Sequence, residues 1–214
     1  MAGMHALHKI LANVARPQKK TVTPGEFLEI EPDIFGVIVG VNGSEAKRMD
    51  AELEELDIKD IPLKNRIVAV ADHASPAPTV AIAQSQKLWR DFFRKHGIRA
   101  FDGGAGVSHL VLCEEGVVRP GMLAIAIDSH APTMGAIGMY AGSLGGGRLT
   151  LYAIGRYVIQ VPKVTLVRVT GKLKPGVLGR DASLYVNGKL GQRGAYNNAV
   201  EFTGSFIESL SMDM

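Results

Sequence analysis

Two stretches decide the fold: Ile125-Ala126-Ile127-Asp128-Ser129-His130, and Ile67-Val68-Ala69-Val70-Ala71 running into Asp72-His73. Each is a short apolar run that ends abruptly in a carboxylic acid and an imidazole. A continuous apolar run of this length, bounded by polar residues, reads as a strand buried on both faces, which means a parallel sheet covered by helices. Ligands of such sheets gather outside the carboxyl ends of the strands. Two strand ends that each offer a carboxylate beside a histidine therefore point to a single active site.

Outward from these strands the pattern alternates. Met4 to Val14 carries Leu7, Ile10, Leu11 and Val14 at helical spacing and stops at Pro17. Glu26 to Glu31 alternates acidic and apolar residues as a half-exposed strand does, and Ile34 to Val41 reads as a more buried one ended by Asn42-Gly43. Ser44 is expected to cap an acidic helix reaching about Leu56, with Met49, Leu53 and Leu56 facing inward. Leu63 to Ala71 is predicted as a strand, Val80 to His96 as a helix bearing Trp89, Phe92 and Phe93, and Ile98 to Phe101 as a further strand. Leu123 to Ile127 repeats the strand pattern. Beyond Pro162, Val164 to Val169 alternates, and a turn at Lys172 to Gly176 precedes a helix near Asp181 to Leu190. The order predicts an α/β fold, a three-layer sandwich with a largely parallel sheet.

The 214 residues suffice for one large α/β domain. An apolar content of 46% with 21% charged residues is globular, and no apolar stretch approaches the roughly 20 residues of a membrane helix. His5, His8 and Lys9 interrupt the early apolar positions, so a secretory leader is not expected and the cytoplasm is the anticipated location. The net charge of +3 is spread along the chain, which argues against a nucleic-acid face; a small carboxylate-type substrate suits it better. Cys113 is the single cysteine, and Glu114-Glu115 beside it disfavours a thiolate. His5, His8 and His96 have no comparable context and read as surface residues.

Several ordered motifs resemble the aconitase and isopropylmalate isomerase superfamily: Asp72-His73, Gly106-Val107-Ser108-His109, Arg119-Pro120-Gly121-Met122, and Asp128-Ser129-His130 with Thr133 and Gly135-Ala136 after it. Gln160-Val161-Pro162, Thr170-Gly171-Lys172-Leu173-Lys174-Pro175-Gly176-Val177 and Val200-Glu201-Phe202-Thr203-Gly204 continue it, and Lys9-Ile10-Leu11-Ala12 and Val22-Thr23-Pro24-Gly25-Glu26 match the start of an isopropylmalate isomerase large subunit. The resemblance implies the N-terminal part of the aconitase fold, with residues 1–214 forming one truncated aconitase-like α/β domain. It also implies dehydration and rehydration of small carboxylates. In that chemistry His73, oriented by Asp72, would act as the acid for the leaving hydroxyl, since an imidazole needs a partner to set its tautomer. His109 and Asp128 would form a second pair, and Ser129 and His130 would face the substrate.

The resemblance also implies a four-iron four-sulfur cluster, but its three cysteine ligands have no counterpart here, and one cysteine does not make such a site. The arginines and the serine base of the family have no counterpart either. After Gly145-Gly146-Gly147-Arg148, a run that reads as a flexible turn rather than a phosphate cradle, relatives carry small residues. This chain has Leu149, Leu151 and Tyr152, which suggests rewritten contacts there. The chain is then expected to be one of three things: part of a split hydro-lyase whose partner chain supplies the missing groups; a free-standing, cluster-free lyase or isomerase; or a non-catalytic binding or regulatory remnant. A variant of the second has His73, His109 and His130 holding one metal ion. Apolar surface near Tyr140 to Tyr157 is expected to drive homo-oligomerisation. Taken singly, Asp128 could be no more than a helix cap and His109 an ordinary satisfied histidine.

Overall fold

The computed structural model describes residues 3–38, 42–143 and 147–211. Residues 39–41, where the second strand is expected to continue, Gly145 and Gly146, where a glycine turn is expected, and 212–214 lie outside the described residues. In chain order the elements are α1 (Ala6–Val14), β1 (Phe27–Ile30), β2 (Ile34–Ile38), α2 (Ser44–Glu55), β3 (Ile67–Val70), α3 (Val80–His96), β4 (Arg99–Phe101), α4 (Ser108–Glu114), β5 (Leu123–Ala126), β6 (Tyr140–Ser143), α5 (Arg148–Ile154), β7 (Tyr157–Gln160), β8 (Lys163–Arg168), α6 (Gly179–Leu190), β9 (Asn198–Thr203) and α7 (Ser205–Glu208). Short 3₁₀ turns at Lys64–Arg66 and Ala131–Ile137 precede β3 and β6.

Five strands form a parallel sheet in the order β4-β3-β2-β5-β6. From β2 the chain builds outward to β3 and β4 on one side, then returns to add β5 and β6 on the other. The reversal between β2 and β5 is a topological switch point, where a crevice opens at the carboxyl ends of the strands. Strand alternation sends Phe35, Ile67, Ala69, Leu123 and Ile125 to one face, beneath α1, α2, α3 and α5. It sends Ile34, Val68, Val70, Ala124 and Ala126 to the other, beneath α4 and the Ala131–Ile137 turn. Helices on both faces of a parallel sheet give the three-layer α/β sandwich that the apolar runs predict.

Two smaller ribbons flank the sheet. β1 pairs antiparallel with β7 and alternates as expected, with Leu28 and Ile30 buried. β8 pairs in parallel with β9, and between Pro162 and Ser205 no apolar side chain is fully buried.

α3 spans the predicted residues. Thr79 caps it by accepting from the Ile82 amide at 3.3 Å, and Gly97 ends it in the left-handed conformation that glycine adopts without strain. Elsewhere the structure corrects the reading. Ser44 is the first residue of α2, not its cap; the Asn42 side chain accepts from both its amide and its hydroxyl. Leu56 is 53% exposed, because α2 ends at Glu55 before its stripe returns inward. Leu63 to Arg66 is a turn with Leu63 left-handed, so β3 begins only at Ile67.

In the segment expected to offer apolar surface, Ile154 is exposed. Leu151 and Tyr152 are buried, and the Tyr152 ring packs edge-on to Phe35 and Phe92 at 5.6 and 5.7 Å. These residues complete the chain's own core. His8 is buried with Nε2 3.1 Å from the Pro162 carbonyl, and the largely buried His96 ring lies 2.8 Å from Asp50 Oδ1 against Phe92. His5 pairs with Glu201 at 3.0 Å. None of the three is a free surface histidine.

Candidate active site

β3 and β5 each release their chain into the site after a fully buried strand, and the residues beyond each strand are polar because they have left the sheet. Asp72 stands just past the end of β3. One of its carboxylate oxygens lies 2.7 Å from His73 Nδ1, and the other accepts the backbone N–H of Ser108 at 2.7 Å. Burial works to raise the carboxyl's pKa, but the hydrogen bonds from His73 and Ser108 outweigh it and hold the group below the usual carboxylate range. The Asp72 side chain is largely buried, whereas His73 is 57% exposed. The imidazole is thus tethered through Nδ1 and open to solvent elsewhere.

The loop that carries His73 is itself restrained. Ala74 has a φ of 52°, which disfavours any residue with a Cβ. The buried Gln86 side chain of α3 donates to the carbonyls of both His73 and Ala74, at 3.2 and 3.0 Å. Sequence reasoning misses Gln86 as a site residue; its one signal is a polar residue on the apolar face of an otherwise well-patterned helix. A strained residue pinned from behind is a common support for a functional neighbour.

The second carboxylate, Asp128, stands beyond β5. Its Oδ2 lies 3.7 Å from His109 Nδ1, an ion-pair distance but too long for a hydrogen bond, and its Oδ1 lies 3.4 Å from His130 Nδ1. Ser129 Oγ is 3.4 Å from the same His130 nitrogen. The His109 and His130 rings stack with centroids 6.1 Å apart. His130 is 74% exposed while Asp128 is nearly covered. The dipeptide Ser108-His109 at the start of α4 connects the two groups, since Ser108 holds Asp72 and His109 faces Asp128. The sequence places Ser108 in a motif without giving it a role; in the fold it is fully buried.

Beneath these groups, between the sheet and the α4 layer, lies a small crevice lined by Gly36, Val68, Ser108, His109, Asp128 and Met134, among others. Gly36 keeps the wall open there: a Cβ on it would make a tight 3.1 Å approach to the Ala126 Cβ. Ser108 supports Asp72 through its side chain as well as its amide, whereas His109 Nδ1 is buried without a hydrogen-bond partner in the protein. An unpaired buried polar atom costs stability. His109 is therefore not the satisfied histidine of a plain core, and Asp128 is not a side-chain cap of the turn after it.

The residues do not suit a cluster. Cys113 is the chain's only cysteine, and burial, then the charge of Glu114, push its thiol pKa up, the opposite of what a thiolate ligand needs. Among the described residues no three His, Cys, Asp or Glu side chains are grouped so as to hold a metal ion. The expected trio of His73, His109 and His130 is not brought together as ligands: His109 and His130 stack, and Nδ1 of His73 is turned to Asp72. Among the described residues no helix is long and apolar enough to cross a membrane.

The chain matches the model of the aconitase family (aconitate hydratase) over residues 42–214. It is 38% identical over 214 residues to the 3-isopropylmalate dehydratase large subunit of Moorella thermoacetica, covering 99% of this chain and 49% of that protein. It is 35% identical to the probable methanogen homoaconitase large subunit of Methanothermobacter thermautotrophicus, covering 99% of this chain and 50% of that protein. Against the homoaconitase large subunit of Thermus thermophilus it is 37% identical over 201 residues, covering 93% and 46%. The chain spans about half the length of the curated relatives it matches.

Proposed function

The chain belongs to the aconitase family, and from that premise we propose that it carries the acid–base part of a hydro-lyase or isomerase acting on a small, carboxylate-bearing hydroxy acid. The observation that supports this most is the linkage of two imidazole–carboxylate pairs through Ser108 at the carboxyl ends of two buried strands. His73 is the acid. With Nδ1 turned to Asp72, Nε2 is left to donate a proton to the departing hydroxyl, and the exposure of the ring lets a substrate reach it. Loss of that hydroxyl as water also requires a base to take the proton from the neighbouring carbon, and a group outside these residues would supply it, since the family's serine base has no counterpart here. His109, positioned by Asp128, with Ser129 and His130 beside it, holds the substrate on the opposite side.

Relatives are named dehydratase and homoaconitase large subunits. One form of this reading is a component of a split dehydratase, with a second polypeptide supplying the remaining groups. A free-standing, cluster-free enzyme is the other form. The mononuclear-metal alternative draws no support from the positions of the three histidines. A non-catalytic remnant would retain two linked pairs and an unpaired buried imidazole nitrogen without using them. The reaction is set in the cytoplasm, in keeping with an unpaired cysteine.

The test is turnover. The purified chain, alone and mixed with a polypeptide that carries the other half of a family member, is incubated with 3-isopropylmalate and related hydroxy acids, and alkene formation is followed by ultraviolet absorbance. Product in the mixture alone supports the split form, and product from the chain alone supports the free-standing one. The absence of product and of substrate binding in both overturns the reading.

A further inference from the structure

The ribbon of β8, α6 and β9 handles charge differently from the rest of the chain. Residues 163–203 hold seven lysines and arginines, from Lys163 to Arg193, against two carboxylates, Asp181 and Glu201, a surplus larger than the whole chain's net charge of +3. All of these cations are exposed. Both carboxylates are engaged within the chain: Asp181 accepts the Leu178 amide at 2.8 Å, and Glu201 accepts the Leu7 amide and pairs with His5. Among the described residues none of the seven cations forms an ion pair, whereas thirteen of the seventeen lysines and arginines elsewhere do. The body of the protein neutralises its own cations, and the ribbon leaves its cations to solvent.

The same ribbon lacks burial. α6 is 12 residues long and buries only Gly179. Without tertiary packing, helices shorter than about 12–15 residues are marginal in water, and Gly188 weakens this one further. Its outer face is apolar at the centre, where Leu184 and Tyr185 are 59% and 67% exposed. Residues four apart are neighbours on a helix, so Arg180 flanks Leu184 and Lys189 flanks Tyr185, with the Lys189 ammonium 5.4 Å from the ring centroid. An apolar centre with a charged border is the anatomy of a protein interface. We propose that this face of α6 docks a polypeptide of another kind, one that presents apolar side chains bordered by carboxylates. A nucleic acid would match the cations but leave Leu184 uncovered, and two large apolar residues are too few for the broad apolar face of a membrane-surface helix. A second copy has little to offer. Among the described carboxylates only the side chains of Glu55, Glu114 and Glu208 are free of an ion pair or hydrogen bond. The inference stands on this surface and does not depend on the hydro-lyase reading.

The test uses the whole chain and two labelled amphipathic helical peptides with the same leucine pattern, one carrying glutamate and the other lysine at the polar positions. Fluorescence anisotropy should show saturable binding of the glutamate peptide, weakened by salt, and none of the lysine peptide. The bound glutamate peptide should slow hydrogen exchange in α6. Arg180→Glu combined with Lys189→Glu changes two exposed, unpaired residues, so the circular dichroism spectrum should stay the same. The glutamate peptide should then bind about tenfold more weakly or worse, and the lysine peptide should now bind. Leu184→Ser combined with Tyr185→Ser should weaken the glutamate peptide too, which charge attraction alone would not produce. No binding of the glutamate peptide, equal binding of both peptides, or binding untouched by either pair of substitutions would overturn the inference. So would tighter binding of duplex DNA or of phosphatidylserine vesicles than of the glutamate peptide, or self-association of the free chain that protects α6 by itself.

Discussion

Asp72 holds two hydrogen-bond donors at once, and this makes it the most informative single residue for pH dependence. Its folded-state pKa lies below the ordinary value, so its ionised form stabilises the fold above about pH 4 and that contribution is lost as the pH falls through the lower folded-state value. Asp72→Asn should cost about 1–2 kcal/mol at neutral pH, by weakening bonds made to a charged acceptor. The gap from wild type should close below about pH 4 in urea melts run across pH. A gap that stays constant over that range would remove Asp72 as the titrating group. At the same scale, His73→Ala and Asp128→Asn are each expected to abolish turnover with the circular dichroism spectrum unchanged. The Asp72–His73 pair was legible in the sequence, because a carboxylate and an imidazole at the end of an apolar run are visible without a structure, whereas the pairing of His109 with Asp128 was implied only by the resemblance to the aconitase family. The Gln86 tether and the burial of Ser108 were not, since both depend on a neighbour brought in from another element.

α5 shows how much of an element's role is set by what it packs on. Leu151 and Tyr152 look like interface residues in sequence and are core residues in the fold. The Tyr152 hydroxyl is buried without a partner, and burial pushes its pKa far up. Tyr152→Phe should therefore be neutral or stabilising by up to about 1 kcal/mol, because it removes an unsatisfied buried group and keeps the ring contacts with Phe35 and Phe92. Tyr152→Ala should cost about 3–5 kcal/mol through the cavity it leaves. Thermal denaturation of the pair separates the ring's contribution from that of the hydroxyl. A large loss in Tyr152→Phe would mean that the hydroxyl has a partner. α3 matched its prediction because its cap, its aromatic stripe and its terminal glycine all lie within the helix's own sequence. Leu56 and Leu63 did not, since apolar residues that end an element look the same as those inside it.

Across the whole molecule, burial is uneven. The five-stranded sheet is covered on both faces, whereas β8, α6 and β9 contribute no fully buried apolar side chain and expose Leu166, Leu184, Tyr185 and Phe202. A parallel pair is ordinarily buried on both faces. Opening free energy tracks buried contacts, so in native-state hydrogen exchange the amides of residues 163–203 should exchange through openings of distinctly lower free energy than those of β2, β3 and β5. Equal protection in the two regions would show that the ribbon is held by contacts beyond those described. α1 bridges the regions, for Glu201 of β9 accepts from the Leu7 amide at 3.1 Å and pairs with His5.

The sequence by itself determined the α/β class, the parallel sheet and the Asp72–His73 pair, because apolar periodicity and the residues that end each run are local properties of the chain. The tertiary structure alone decided which polar atoms became buried, which apolar residues became core, and that Ser108 joins the two pairs. Those facts depend on strand order and helix placement, which bring residues 36, 108 and 128 to one crevice and residue 72 against Ser108 although the chain holds them far apart.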